Sequence, residues 1–82
     1  MKLTILSSTE SYQYDVSYLE VETSVGNFVI LEGHAPLLLL IAPKKPVTYC
    51  TFENPESLER LTAMHGGILQ VNRSQATLIL NQ

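Results

Sequence analysis

The stretch from Val25 to Pro43, VGNFVILEGHAPLLLLIAP, has the most distinctive order of residue types in this 82-residue chain. It indicates a turn, a short apolar strand, a second tight turn, and a second apolar strand that proline ends. Gly26 and Gly33 provide the permissive backbone that the two changes of direction need. Only six residues lie between Pro36 and Pro43, which disfavours a helix because helix nucleation is costly. Both strands are apolar runs, so we expect each to be covered on both faces.

The segment before this stretch has the period of two that is typical of strands. Residues 2–6 alternate weakly and predict a first strand. Residues 12–21 alternate more clearly, but the phase of the pattern slips near Asp15–Ser17, which predicts a bulge or a turn there. Glu20 and Glu22 share the phase opposite to the apolar positions, so we expect them on a solvated face.

The segment after this stretch predicts more strands. Residues 47–52 are rich in β-formers, and residues 68–71 and 76–80 are apolar runs joined by four polar residues, as in a hairpin. Residues 57–65 are ambiguous, because apolar residues at every third position slightly favour a helix. The pattern as a whole predicts one all-β domain over residues 1–82, a two-layer antiparallel β-sandwich or flattened barrel of about 8–10 short strands.

Composition excludes several classes of function. Eight acidic residues against five dispersed basic residues give a net charge of −3, whereas nucleic-acid binding requires clustered bases. The N-terminal apolar run is too short for a signal peptide. The apolar run 35–42 is also far shorter than the roughly 20 residues of a membrane-spanning helix. We expect a soluble, cytoplasmic chain whose low charge content hints at a protein partner.

Residues capable of catalysis or metal binding are few. His34, His65 and Cys50 are the candidates, but zinc sites bring paired ligands at short spacing, and no such pair occurs. The lone Cys50 is expected to be a buried thiol. Gly66-Gly67 is not a phosphate loop, since no lysine–serine step follows it. We therefore expect no catalytic residues, no bound cofactor and no metal, and a domain that works by binding.

Two segments follow a specific order of residue types. The positions of the first are Gly26, Phe28, Ile30, Leu31, Gly33, His34, Ala35, Pro36, Leu37, Leu38 and Pro43. The second is GGILQV at residues 66–71, followed by a four-residue turn and by residues 76–80. In these two segments the chain resembles the N-terminal β-sandwich domain of the epsilon subunit of F-type ATP synthase, and the resemblance covers essentially the whole chain. It implies that residues 57–65 form a strand.

The resemblance implies a non-catalytic rotor subunit in the central stalk. Such a subunit links the gamma subunit to the membrane rotor ring of c subunits and supports coupled, proton-driven ATP synthesis. It lies on the cytoplasmic face of an energy-transducing membrane, the bacterial inner membrane or its organellar equivalent. The sequence ends at Gln82, without the family's C-terminal helical hairpin. The inhibitory contacts and the ATP site of that hairpin are therefore not carried over.

The resemblance also implies contact residues at matching positions. On the gamma side these are Ser7, His34 and Leu39. On the rotor-ring side they are Val25, Gly26 and Asn27.

Several positions depart from the family pattern. Val29 stands where glycine is usual, Glu32 where proline is usual, and Lys44 where glycine commonly follows Pro43. Asn27 replaces a frequent acid, and Leu39 stands where a small or polar residue is common. The departures at Val29, Glu32 and Asn27 keep open an alternative, a stand-alone β-sandwich that binds another protein or a small ligand. A small enzyme is the third reading.

Overall fold

The computed structural model of the protein describes residues 1–81, and within that range it contains strands and turns only. The strands are β1 (Lys2–Leu6), β2 (Ser11–Thr23), β3 (Gly26–Ile30), β4 (Leu37–Ile41), β5 (Lys45–Thr51), β6 (Glu59–Ala63), β7 (Gly67–Val71) and β8 (Gln75–Leu80). The predicted all-β sandwich is confirmed. No helix in the described part of the chain is long and apolar enough to cross a membrane.

The eight strands form one curled sheet that closes over itself in two layers. Strand order along it is β4-β7-β8-β1-β2-β5-β6, and β3 also pairs with β2. We call β4, β7, β8, β1 and residues 11–15 of β2 sheet A, and residues 16–23 of β2 with β3, β5 and β6 sheet B. All pairings are antiparallel except that of β1 with β8, which is parallel. The expected sandwich is therefore antiparallel with one exception.

Strand β2 joins the two layers because it changes partners along its length. Its first residues pair with β1, and from Val16 onward it pairs with β5. The register with β5 shifts between Val16 and Tyr18, which is the bulge that the phase slip predicted. A bulge bends a strand and increases its twist, so one strand can belong to both sheets.

The core lies between the inner faces of the two sheets. Its fully buried members include Leu3, Val16, Leu19, Val21, Ile30, Val47, Leu69 and Leu78. These residues follow the period of two of their strands, as a half-covered sheet requires. Cys50 is a buried free thiol, as predicted.

The expected two-sided coverage of β3 and β4 is wrong. Leu38 and Leu40 are 66% and 70% exposed, while Leu39 between them is only 8% exposed. In β3, likewise, Ile30 is buried and Val29 is exposed. A two-layer domain covers each sheet on one side only, so every strand has one buried face and one outer face.

The uncertain segment 57–65 contains β6, which confirms the strand interpretation and rules out the helix. Strand β6 pairs with β5 over its whole length, from Lys45 opposite Ala63 to Tyr49 opposite Glu59. Sheet hydrogen bonds outweigh so short a helical pattern because tertiary pairing overrides weak local preference. The predicted hairpin at the end of the chain is also confirmed as β7 and β8.

Steric contacts explain why residues 66 and 67 are both glycine. Gly66 has a φ of +74°, and a β-carbon there would lie 2.6 Å from the Ile41 carbonyl oxygen. A β-carbon on Gly67 would lie 2.4 Å from the Ile79 carbonyl oxygen. Both distances involve backbone that cannot easily move, so the turn between β6 and β7 accepts only glycine at these positions.

Candidate protein-interaction surfaces

The outer face of sheet A carries a row of apolar side chains. The strand registers place Leu6 beside Ile79, Ile79 beside Ile68, and Ile68 beside Leu40. Leu40 and Ile79 are exposed, and Leu6 and Ile68 are half-buried. We call these four residues the apolar row. An exposed row of large aliphatic side chains across four strands is a feature of surfaces that bind another protein.

Two of the residues expected on the gamma side lie at opposite ends of sheet A. Ser7 follows β1 at the end where the apolar row lies, and its hydroxyl accepts a hydrogen bond from the Glu10 N–H at 3.1 Å. His34 lies in the loop before β4, and its Nδ1 is 2.7 Å from the Ala35 carbonyl oxygen. That loop is attached to the β7–β8 turn, since the Gly33 N–H donates to the Arg73 carbonyl at 3.0 Å.

Leu39, the third of these residues, belongs to the core. Its side chain packs among the inner residues of sheet A and is 8% exposed. This burial argues against the Leu39 side chain as a contact with a partner. Leu38 and Leu40 are the residues of β4 that reach the surface.

The residues expected on the ring side lie together at the β2–β3 turn, Val25 in the turn itself and Gly26 and Asn27 at the start of β3. Val25 forms its tip and is 82% exposed, and Gly26 has a φ of +138°. The Thr23 hydroxyl donates to the Gly26 carbonyl at 2.9 Å and accepts from the Val25 N–H at 3.2 Å. These two hydrogen bonds fix the conformation of the turn, which projects from the end of sheet B.

A polar network on the outer face of sheet B supports this turn. The Asn27 amide donates to Oε2 of Glu20 at 2.6 Å, and the Tyr18 hydroxyl donates to Oε1 of the same carboxylate. These hydrogen bonds lower the pKa of Glu20, and the one from Tyr18 has the largest effect. The positive charge of Arg60 nearby lowers this pKa further, by a smaller amount. The hydrogen bond with Glu20 in turn raises the pKa of Tyr18.

Sequence reasoning placed Glu20 on a solvated face but missed its role. The spacing of Tyr18 and Glu20 along β2 could have indicated that their side chains share a face. The contact with Asn27 depends on the β2–β3 register, in which Glu22 is opposite Asn27 and Glu20 is opposite Val29. That register could not be predicted from any local pattern in the sequence.

Glu32, which departs from the family pattern, forms an ion pair with the N-terminal ammonium group. Its Oε1 accepts a hydrogen bond from the α-ammonium of Met1 at 2.8 Å, and Oδ1 of Asp15 lies 3.5 Å from the same group. The bond with Glu32 is the main cause of a raised pKa of the Met1 amine. The loop before β4 is thereby tied to the start of β1.

The residues considered for metal binding or catalysis lie apart. Cys50 is buried under the β5–β6 loop, with its sulfur 3.3 Å from the Pro55 carbonyl oxygen. His34 precedes β4, and His65 lies in the β6–β7 turn. Within residues 1–81 no three His, Cys, Asp or Glu side chains are grouped so that they could hold a metal ion.

Comparison with solved structures shows the same fold in two rotary complexes. A chain of the Tetrahymena thermophila mitochondrial ATP synthase central stalk and c-ring superimposes with a TM-score of 0.82 at 15% identity, over 100% of this chain and 63% of that one. A chain of the Euglena gracilis mitochondrial ATP synthase, in a structure of OSCP, F1 and c-ring, gives a TM-score of 0.83 at 19% identity, over 98% and 49%. The chain thus spans about half of one of these structural relatives and just under two-thirds of the other.

Sequence comparison with curated proteins gives no match. The family model described as the β-sandwich domain of the ATP synthase delta/epsilon chain matches residues 1–82. That model spans both glycine-containing segments as well as the strands between them, and the all-β architecture agrees with it. The chain therefore belongs to the ATP synthase delta/epsilon chain β-sandwich family.

Proposed function

We propose that this protein is a non-catalytic central-stalk subunit of F-type ATP synthase. It would link the gamma subunit to the c subunits of the membrane rotor ring and support coupled, proton-driven ATP synthesis. Family membership supports this role. The observation that carries it is the apolar row on the outer face of sheet A, which lies at the end of that sheet marked by Ser7.

The apolar row is the proposed contact with gamma. Permanent interfaces are more apolar than the rest of a protein surface and resemble a domain core cut in half. Leu38 and Leu40 place two largely exposed aliphatic side chains on this face. Leu38 and Leu40, and not the buried Leu39, are therefore the proposed gamma contacts of β4.

The β2–β3 turn is the proposed contact with the rotor ring. Val25, Gly26 and Asn27 form a projection whose backbone and side chains are fixed by internal hydrogen bonds. A fixed projection transmits force with little deformation, whereas a mobile loop would absorb it. The polar surroundings of the turn suit a contact with the polar loops of the ring.

Residues 1–82 would form a single domain at the foot of the stalk, without catalytic residues or a cofactor of its own. The protein would be a peripheral component of the membrane complex. It would lie on the cytoplasmic face of the bacterial inner membrane or on the corresponding face of an organellar membrane.

The experiment that tests this function is assembly with the gamma subunit of the same organism. The wild-type chain should copurify with gamma and restore coupled ATP synthesis to an enzyme that lacks epsilon. Leu40→Asp should weaken copurification at least ten-fold, because it places an unpaired charge in an apolar contact. Thr62→Asp, on the exposed outer face of sheet B, is the matched control and should assemble normally.

Two results would reject the proposal. One is a wild-type chain that neither binds gamma nor complements, which would favour the stand-alone binding module. The other is equal assembly of Leu40→Asp and wild type, which would place gamma on a different surface. Circular dichroism on both variants must show that the sandwich is folded.

A further inference from the structure

The β3–β4 loop, residues 32–36, is attached to the rest of the domain at few points. Four of its five residues are exposed and the other is half-buried, so apolar burial contributes little to its position. The Gly33 N–H donates to the Arg73 carbonyl at 3.0 Å, and Oε1 of Glu32 accepts from Nα of Met1 at 2.8 Å. In the part of the chain that the structure describes, these two hydrogen bonds join the loop to other elements.

Nα of Met1 lies at the centre of three acceptors. They are the Val16 carbonyl oxygen at 3.1 Å, Oε1 of Glu32 at 2.8 Å and Oδ1 of Asp15 at 3.5 Å. An ammonium group has three hydrogens to donate, so each acceptor receives one. Met1 is only 5% exposed and its side chain belongs to the core, so the ammonium cannot turn to solvent without uncovering apolar surface.

The two carboxylates depend on this ammonium for charge balance. Among residues 1–81 no other cationic group lies within 4.0 Å of Glu32 or Asp15. The hydrogen bond with Glu32 raises the pKa of the Met1 amine above its ordinary value of 8.0, so the amine is charged at neutral pH. Hydrogen bonds between charged groups are about twice as strong as those between neutral groups. Loss of the charge would therefore weaken the attachment of the loop.

An acyl group on Nα would remove the charge and two of the three hydrogens. The remaining N–H would stay with the Val16 carbonyl, because Met1 and Val16 also bond in the opposite direction, from the Val16 N–H to the Met1 carbonyl at 2.8 Å. Such a two-way pair belongs to the antiparallel ladder between β1 and β2. The strands would thus remain paired, whereas Glu32 and Asp15 would each lose a donor.

We propose that Nα of Met1 is a modification site that controls the β3–β4 loop, and that the modifying group is formyl. With the formyl group present, Glu32 is released and the loop keeps only the bond of Gly33. Hydrolysis of the formyl group attaches the loop. Water adds to the formyl carbon, the C–N bond breaks, and the formic acid that leaves passes its proton to the freed amine, which becomes the ammonium.

The formyl group and Glu32 each have a chemical reason. Formyl is the smallest acyl group, and it is the one that methionine carries when bacteria and organelles begin a protein chain. Proline, which is usual at position 32 in the family pattern, has no carboxylate to accept from an ammonium. Asp15 belongs to β2, so Glu32 alone connects the ammonium to the loop. This control of the loop requires no gamma subunit and is independent of the proposed stalk role.

Three forms of the 82-residue chain, prepared by chemical synthesis, test the proposal. They carry at Met1 a free amine, an N-formyl group, or a hydrogen in place of the amine. Hydrogen exchange of the Gly33 amide reports whether the loop is attached, and it should be at least ten-fold faster in the second and third forms. In the formyl chain the exchange of the Val16 amide should be unchanged, since its bond to the Met1 carbonyl remains.

The des-amino chain separates charge from crowding. It removes the ammonium without adding volume, so equally fast Gly33 exchange in the formyl and des-amino chains identifies the lost ammonium as the cause. Treatment of the formyl chain with a peptide deformylase should restore the slow exchange of the free-amine chain.

Substitutions of single carboxylates provide the matched controls. Glu32→Ala should give fast Gly33 exchange even with a free amine, and N-formylation of this variant should change the rate less than two-fold. Glu56→Ala removes an exposed carboxylate of the β5–β6 loop and should respond to formylation as wild type does.

Three outcomes would overturn the proposal. They are equal Gly33 exchange in the formyl and free-amine chains, slow exchange in Glu32→Ala with a free amine, and an equal response of Glu32→Ala and wild type to formylation. If the formyl chain fails to fold, the des-amino chain decides the question, and slow Gly33 exchange in it would reject the proposal.

Discussion

The outer faces of the two sheets differ in chemistry, although both are made by period-two strands of the same domain. The outer face of sheet A presents Leu40, Ile68, Ile79 and Leu6 in a row. The outer face of sheet B presents the hydrogen-bonded group of Tyr18, Glu20 and Asn27. The aliphatic side chains of the first face are exposed to solvent. The polar side chains of the second face form hydrogen bonds with one another.

The polar groups on the outer face of sheet B are already hydrogen-bonded, whereas the apolar side chains on the outer face of sheet A remain in contact with water. Polar side chains that bond to one another gain little from a partner, because their desolvation would have to be compensated. Aliphatic side chains that remain in water gain free energy when another surface covers them, about 25 cal/mol per Å². Sheet A therefore has the larger driving force for a permanent contact, and sheet B is suited to remain at the surface.

The largest expected effect separates the two faces of β4. Leu39→Ala should lower the free energy of unfolding by about 2–4 kcal/mol because it leaves a cavity in the core. Leu40→Ala, one residue later and 70% exposed, should change it by less than about 0.5 kcal/mol. Urea denaturation of both variants measures the difference. Equal losses would mean that the outer face of sheet A is covered in the isolated chain.

The turn that connects the two sheets is expected to be strained. Lys44 has a φ of +67°, in the left-handed region that is unfavourable for residues with a β-carbon. Lys44→Gly should raise the free energy of unfolding by about 0.5–1 kcal/mol, the gain in the folded state being partly offset by the greater entropy of the unfolded chain. Thermal denaturation beside a Lys45→Gly control, in β5, checks this expectation. A lower melting temperature for Lys44→Gly would contradict it.

The polar network of sheet B should appear in the pH dependence of stability. The pKa of Glu20 is lowered in the folded state from its ordinary value of 4.5, mainly by the Tyr18 hydroxyl and then by Asn27. The network therefore stabilises the fold fully above pH 4.5, and this contribution is lost as the pH falls through the lower, folded-state pKa.

Glu20→Gln should consequently lose less stability than wild type between pH 6 and pH 3. Urea midpoints across that range measure it, with Tyr18→Phe expected to behave in the same direction. Glu56→Gln, an exposed carboxylate of the β5–β6 loop, is the control and should run parallel to wild type. If the urea midpoint of Glu20→Gln also ran parallel to that of wild type across the pH range, the network would not contribute to the stability of the fold.

The smallest expected effect is that of the ion pair at the rim of sheet B. Nζ of Lys45 lies 3.9 Å from Oε2 of Glu22, and both side chains are about half exposed. Exposed pairs of this kind contribute between zero and about 1 kcal/mol. Lys45→Ala should therefore shift the free energy of unfolding by about 0.5 kcal/mol or less, and its effect should vanish in 1 M salt. A larger, salt-independent loss would point to packing of the lysine stem.

Much of the fold could be predicted because it depends on local patterns. Strand β1, the bulge in β2, and the β7–β8 hairpin each follow from alternation and turn residues within a few positions. The turn at Val25 was likewise expected, but it is shorter than predicted, because β3 already begins at Gly26. Proline and glycine limit the backbone wherever they occur, so their effect needs no distant contact.

The orientation of β4 could not be predicted in the same way. A one-residue shift in a strand exchanges its two faces, and four consecutive leucines give no alternation by which to choose between them. The resemblance pointed to Leu39 as a contact residue, whereas its pairing with Leu69 directs it into the core. Only the register with β7 distinguishes Leu39 from Leu38 and Leu40.

Residue types and their spacing were enough to predict an all-β sandwich, its turns, its family and the absence of clustered charge. These depend on residue types over short distances, where conformational preference and hydrophobic period act directly. Which leucines face outward, and that Glu20 bonds to Asn27, became known only from the closed sheets. Those features arise from pairings between strands distant in the chain, and such pairings are fixed only when the sheets close on one core.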